Sequence, residues 1–256
     1  MHGPVRTNFK WFWFATGKHP SASDHFRVGS DFSIARKLAG WMEAGYGGIS
    51  AQGFSVTALK AWRFWAGGPD QGQICSGILR DSTDQFGRPY PLMIAGAGPL
   101  QGWEEAWDLV PMVLENNWQR LERLATRSFG ALRELEDELL GFFPPSAEWA
   151  RCRAERDKLF RAETGASMEG QAAYAALQAR QIPLGRATEI IIPIDETLHI
   201  DPTVVLNHWQ MALKGQGDGT TPNAAFLGGL PEKSFLVFFR RALRPGDFHT
   251  LWSVKL

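Results

Sequence analysis

Few side chains in this sequence have the types and spacings that metal binding requires. The six histidines, at positions 2, 19, 25, 199, 208 and 249, include no pair three or four residues apart, the spacing that places two ligands on one helix face. Cys75 and Cys152 each lack a nearby second cysteine, so we expect two reduced, buried thiols. No metal site is predicted.

Nucleophilic catalysis has no clear signature either. Cys152 lies in an arginine-rich stretch, and it would need a histidine and an oxyanion site that no motif places beside it. The chain contains no Gly-x-Ser-x-Gly sequence, and Gly215–Gly219 lacks the Gly-Lys-Ser/Thr ending of a phosphate-binding loop. No catalytic residue is assigned, and the protein is predicted not to be an enzyme.

The most informative polar segment holds Asp84, Gly87 and Arg88 and lies between two apolar runs, Ile74–Leu79 and Tyr90–Ile94. Two apolar runs around a short segment with glycine and aspartate indicate two strands and a tight connection. The planar guanidinium of Arg88 suits a carboxylate partner. Two interpretations stay open: a tip that binds another protein, and a turn stabilised by its own ion pair.

A second segment, Trp62-Arg63-Phe64, precedes this hairpin. In a strand, Trp62 and Phe64 share one face and Arg63 points to the other, so the rings are assigned to the core. We expect this segment to lie close to the Asp84–Arg88 turn. Arg63 or Arg88 is then predicted to pair with Asp84 or Asp81.

The periodicity of apolar residues predicts the strands and helices that position these residues. The predicted sheet strands are Phe9–Ala15, Leu59–Ala66, Ile74–Leu79, Tyr90–Ile94, Asn223–Leu227 and a strand buried on both faces, Glu189–Ile194. The predicted helices are Asp31–Met42 ended by glycines, Trp107–Ala125, Phe129–Leu140, one capped by Ser146, one from Asp201 to Leu213 and one beginning at Pro231. Residues 161–180 are left open as helix or mobile insertion.

This irregular alternation favours an α/β (α+β) fold, with a central mixed or largely antiparallel sheet and helices packed on its faces. We expect one domain over residues 1–256. A subdivision into a core of residues 1–143 and a C-terminal extension of residues 144–256 is possible at Pro144-Pro145.

Charge and hydropathy exclude some classes of partner. The 27 basic and 27 acidic residues balance, so neither nucleic acid nor an anionic membrane surface is an expected partner. No stretch approaches the ~20 apolar residues of a membrane span, and the apolar run Trp11–Ala15 is too short for the core of a signal peptide. The protein is predicted to be cytoplasmic and without membrane insertion.

Several motifs, taken in order, resemble one family. They are Gly17-Lys18-His19-Pro20-Ser21 followed by Asp24-His25-Phe26, then Trp62-Arg63-Phe64, Gly77-Ile78-Leu79, Ser82–Leu92 and Phe226–Pro231. The chain thereby resembles the TagF (ImpM-type) accessory proteins of bacterial type VI secretion systems. Ser23 stands in place of the glycine of the family's Gly-Asp-Phe motif, and His25 interrupts that motif.

The resemblance implies regulation rather than catalysis. TagF-like proteins are cytoplasmic and act after translation, by contact with the forkhead-associated scaffold protein of the secretion machine. The resemblance implies no cofactor. The alternatives from other classes are a small-molecule-binding module with an aromatic pocket and an unrecognised hydrolase that uses Cys152 or a histidine.

Overall fold

The structure, a computed structural model, describes residues 10–51, 59–166, 168–180, 187–194, 200–216 and 220–253. Its centre is one sheet of eight strands in which every pair of neighbours is antiparallel. The strands are β1 (Phe12–Gly17), β2 (Phe26–Gly29), β3 (Ala61–Gly67), β4 (Gln73–Arg80), β5 (Leu92–Pro99), β6 (Glu189–Ile194), β7 (Ala224–Leu230) and β8 (Lys233–Phe239). Their order across the sheet is β2-β1-β5-β4-β3-β7-β8-β6.

Helices cover both faces of the sheet, so the fold is α/β with an antiparallel sheet, as the sequence predicts. The helices are α1 (Ser33–Ala51), α2 (Val110–Thr126), α3 (Leu132–Leu140), α4 (Trp149–Ala166), α5 (Met168–Ala179), α6 (Pro202–Gln216) and α7 (Pro245–Ser253). Helices α1 and α7 contribute to the core on one face, and α2 to α6 contribute to the core on the other. No helix in the described part of the chain is both long and apolar enough to cross a membrane.

The alternation of side-chain direction along each strand explains how two hydrophobic cores form. In β1, Trp13 and Ala15 pack under α2 and α3, while Phe14 packs on the α1 side. Successive strand residues point to opposite faces, so an aromatic-rich strand serves both cores when both faces are covered. The hairpin of β4 and β5 forms as predicted, in register from Gln73 opposite Pro99 to Arg80 opposite Leu92.

The helix predicted from Pro231 is wrong, because residues 233–239 form strand β8. Pro231 and Glu232 make the turn between β7 and β8. Phe235 and Phe239 face the α1 side, and Phe238 faces the α6 side. The spacing of these phenylalanines fits either a helix or a strand. Their burial on both faces of the sheet is typical of a strand.

Strand β6 also departs from its prediction. Glu189–Ile194 is a strand, but its burial alternates, and Ile191 is 42% exposed. It lies at one edge of the sheet and pairs only with β8 among the described strands. Pro193 is tolerated there because an edge strand has one unpaired side.

Of three helix boundaries that the sequence predicts, two differ in the structure and one is confirmed. Helix α1 continues through Gly45, Gly47 and Gly48 to Ala51 instead of ending at them. Helix α4 begins at Trp149, three residues after Ser146, so Ser146 is not its cap. The cap at Asp201 is confirmed, since its carboxylate accepts the Thr203 N–H at 2.7 Å.

Candidate functional site

The connection between β4 and β5 is organised around the carboxylate of Asp84. Its side chain is fully buried, and Oδ1 accepts the backbone N–H groups of Phe86 and Arg88, both at 3.0 Å. The other oxygen, Oδ2, accepts Lys18 Nζ at 2.9 Å and Arg88 Nε at 2.6 Å. Gly87 has a φ of +77°, which few residues with a side chain adopt, and this completes the tight turn.

Two opposing effects act on the pKa of Asp84. Burial raises it, while the hydrogen bonds from Lys18, Arg88 and the Phe86 N–H lower it, and the bonds prevail. The pKa therefore lies well below the ordinary aspartate range. Asp84 is ionised at neutral pH, and two cations compensate its charge.

Lys18 joins this turn to the loop between β1 and β2. Besides Asp84, it lies 4.0 Å from the carboxylate of Asp24. Arg88 reaches the same loop, because Nη2 donates to the Ser23 carbonyl at 2.7 Å and lies 3.3 Å from Asp24. We call the side chains of Lys18, Asp24, Asp84 and Arg88 the charged turn. It brings together two motifs that are about sixty residues apart in the sequence.

The outer side of the charged turn is accessible. The Arg88 side chain is 51% exposed, and the neighbouring Phe86 is 68% exposed. The guanidinium lies over the Phe86 ring, 5.5 Å from its centroid. An aromatic ring and an arginine held on a rigid turn are the residue types that dominate protein–protein contacts.

The Trp62-Arg63-Phe64 segment does not join the charged turn. Trp62 and Phe64 are buried on the α1 side of β3, as predicted. Arg63 points to the opposite face and pairs with Glu122 of α2 at 2.6 and 2.9 Å, and with Glu115 at 2.9 Å. The predicted pairing of Arg63 with Asp84 or Asp81 is therefore wrong, whereas the pairing of Arg88 with Asp84 is confirmed.

Comparison with known proteins matches the part of the chain that carries these motifs to a protein family. Residues 14–139 match the family model described as the TagF N-terminal domain, type VI secretion system-associated. These residues make up just under half of the chain, and over them the sequence matches the TagF family. The predicted resemblance is thus confirmed, and the protein is associated with type VI secretion. All four side chains of the charged turn lie within the TagF N-terminal domain.

One solved structure similar to this chain is that of PA0076 from Pseudomonas aeruginosa PAO1. The two share 19% sequence identity with a TM-score of 0.39, over 52% of this chain and 63% of that chain. The matched region therefore spans less than two thirds of PA0076. No curated protein matches this chain.

Arg63 forms part of the floor of a groove between α2, α4 and α6. The groove has a volume of about 760 Å³, and strands β3 and β7 lie beneath it. The side chains of Glu115, Glu122 and Glu155 line it together with Arg63, Arg80 and Arg151. The hydrogen bond that Arg63 donates to Glu122 is the main cause that raises the pKa of Arg63.

Both cysteine thiols and the His19 side chain are buried. Cys75 and Cys152 are free and buried, and burial is the main cause that raises the pKa of each. His19 is buried, and Nδ1 accepts the N–H of Ser21 at 3.1 Å. Within the described ranges, no three His, Cys, Asp or Glu side chains are grouped so that they could hold a metal ion.

The sequence missed some residues of the site. Lys18 and Asp24 lie in the first family motif, and their place in it was the only signal that they had a role. Phe86 is a lone aromatic residue in a polar segment, which is a usable sign of an exposed contact residue. The partners of Arg63 lie seven residues apart on α2, a spacing that places both on one helix face.

Proposed function

We propose that this protein regulates type VI secretion after translation by binding the forkhead-associated scaffold protein of the secretion machine, and that it is not an enzyme. The match to the TagF N-terminal domain over residues 14–139 supports the association with type VI secretion. The resemblance of the motifs supports the choice of scaffold. The proposal places the protein in the cytoplasm.

The observation that carries the contact surface is the exposed side of the charged turn. Asp84 fixes the turn from inside, so Arg88 and Phe86 are presented with little freedom left to lose on binding. The chain as a whole carries no net charge, so a local patch rather than a general field must provide the attraction. A protein surface with an apolar cleft and a nearby carboxylate fits such a patch.

Phe86→Ala provides the sharpest test of this docking surface. The ring is 68% exposed, so its loss should leave the fold intact while weakening capture of the scaffold protein by about tenfold or more. Arg88→Ala should weaken capture as well, but it also removes a partner of Asp84. The measurement is a titration of purified scaffold protein against each variant.

Phe143→Ala is the matched control for Phe86→Ala. Phe143 is 72% exposed and also lies near a guanidinium, that of Arg120. Unchanged affinity in Phe143→Ala, with reduced affinity in Phe86→Ala, would support the turn as the contact. In the host, deletion of the gene should alter secretion without altering the amounts of the secretion components. Unaltered secretion, together with no scaffold binding by the wild-type protein, would contradict the proposal.

The groove between α2, α4 and α6 favours a second candidate function, that of a small-molecule-binding module. Its volume of about 760 Å³ falls in the range of ligand pockets. Its mixed charges would suit a zwitterionic ligand. In that case Phe86→Ala would retain function, whereas Arg63→Met would lose it.

A further inference from the structure

A second cavity, of about 470 Å³, lies behind the charged turn. We call it the rear cavity. Its walls come from the loop after β1, from α1, from the end of β4 with the connection that follows, and from the end of α2. Nothing in the docking role proposed above uses it.

Arg80 gives the rear cavity a cationic wall. It is half-buried at the end of β4, and its Nε donates to the Asp81 carbonyl at 3.3 Å. Among the described residues, its two terminal nitrogens donate to no acceptor, and no carboxylate forms an ion pair with them. A guanidinium with open donors is the preferred protein partner of a phosphate or carboxylate group.

Hydroxyl groups supply further donors around this cation. Ser82, Thr83 and Ser128 line the rear cavity, and their hydroxyls have no protein partner within the described part of the chain. Arg127 lies at the exposed end of the cavity, where it also pairs with Glu138 at 2.6 Å. The lining therefore offers two guanidinium groups and several donors.

The carboxylate in the rear cavity, which would repel an anion, already accepts hydrogen bonds from the protein. Asp81 is the single carboxylate in the described lining, and its two oxygens accept the Lys60 N–H and the Trp252 Nε1–H, both at 2.8 Å. Burial is the main cause that raises the pKa of Asp81.

Several carbonyls near the end of α2, which carries negative partial charge, also have donors of their own. The Thr126 hydroxyl and the Arg127 N–H donate to its Glu122 and Arg123 carbonyls. The imidazole of His19 hydrogen-bonds the Ala125 backbone.

From this chemistry we infer that the rear cavity binds a phosphate monoester. The open guanidinium of Arg80 and the hydroxyls would hold the phosphate. The apolar surfaces of Pro20, Leu59, Pro89 and the two tyrosine rings, Tyr46 and Tyr90, would cover the attached organic group. The volume exceeds what a bare phosphate fills, so an organic group is part of the fit. The larger groove also contacts Arg80, but its three glutamates disfavour a dianion there.

Calorimetric titration of the full chain with phenyl phosphate tests the inference. We expect a Kd of about 1 mM or tighter, with weaker binding of inorganic phosphate. Arg80→Gln should weaken binding by about tenfold or more, because it removes a charge-assisted donor. Arg151→Gln, a change in the larger groove, should leave binding unaltered.

Ser128→Glu gives a second variant that does not disturb the interior. Ser128 is exposed, so a glutamate there adds a repelling charge at the rim, and Ser128→Gln is its size-matched neutral control. Binding lost in Ser128→Glu and kept in Ser128→Gln would support the site. A phosphothreonine peptide and its unphosphorylated form then separate the two sources: tighter peptide binding indicates a modified protein, and tighter phenyl phosphate binding indicates a free metabolite.

Three results would overturn the inference. The first is no binding of either monoester at about 10 mM. The second is equal binding by the wild type, Arg80→Gln and Ser128→Glu. The third is binding of inorganic phosphate as tight as that of phenyl phosphate, which would leave no role for the organic group. None of these results bears on scaffold binding, so this inference and the proposed function fail separately.

Discussion

At the scale of single residues, the stability of the charged turn depends on Asp84 being an acceptor at both oxygens. Its four partners are all donors: two backbone N–H groups, the Lys18 ammonium and the Arg88 guanidinium. In Asp84→Asn, one oxygen becomes an amide nitrogen that cannot accept. We expect the Tm to fall by about 5 °C or more, measured by calorimetry.

Asp24→Asn is the control for this substitution, because Asp24 contacts the same two cations from an exposed position. Exposed ion pairs contribute little, so its Tm should stay close to that of the wild type. Equal Tm values for Asp84→Asn and the wild type would show that the buried carboxylate is not a source of stability.

The pH dependence of the Tm difference between the wild type and Asp84→Asn checks the ionisation of Asp84. Its native pKa lies below the ordinary value of 3.8, so its stabilisation is complete above that pH and is lost as the pH falls through the native value. The Tm difference between wild type and Asp84→Asn should hold from neutral pH to about pH 4 and shrink below it. A difference that is constant down to about pH 2 would contradict this assignment.

The sequence alone predicts the ion pair within the turn, but it does not predict the ion pairs between residues of distant elements. Asp84 and Arg88 are four residues apart, so a local turn brings them together. Arg63 meets Glu115 and Glu122 only because α2 packs across β3, and its side chain points to that face. Pairing over such distances depends on packing, which a single sequence does not display.

At the scale of elements, α1 shows glycines serving two different purposes within one helix. A Cβ at Gly45 would lie 2.3 Å from Cβ of Phe248 in α7, so this glycine permits close helix packing. A Cβ at Gly47 would meet nothing within 4 Å. Gly45→Ala should therefore lower the free energy of unfolding by about 1–3 kcal/mol. Gly47→Ala should raise it by about 0.5–1 kcal/mol.

Denaturant unfolding of the two variants measures this contrast, with each serving as the other's control. Destabilisation by both would mean that α1 does not continue through these glycines. Stabilisation by both would mean that α1 and α7 are not in close contact.

Most strands were predictable, because their apolar runs end at glycine or proline. Strand β8 was not, since Phe235, Phe238 and Phe239 also fit a helix stripe. Local spacing is ambiguous for a short apolar run, and only the pairing with β7 and β6 selects the extended form.

At the scale of the whole molecule, the sheet continues across the candidate boundary at residue 143. Strand β3 pairs with β7, and Phe226 of β7 stacks on Phe64 with centroids 5.6 Å apart. A fragment of residues 1–143 would leave that edge of β3 unpaired and its aromatic residues uncovered. We expect the fragment to aggregate, as seen by sedimentation and size-exclusion chromatography beside the full chain. A monomeric fragment with a cooperative unfolding transition would establish an independent core instead.

The same pairing has a consequence for the newly made chain. Strand β3 ends at Gly67, whereas its partner β7 begins at Ala224, roughly 160 residues later. At typical rates of synthesis, β3 would wait on the order of 10–30 s for that partner to leave the ribosome. During this interval its edge and the Trp62 and Phe64 rings are available to other molecules. In the cell, the yield of this protein should therefore depend on chaperones that act on nascent chains.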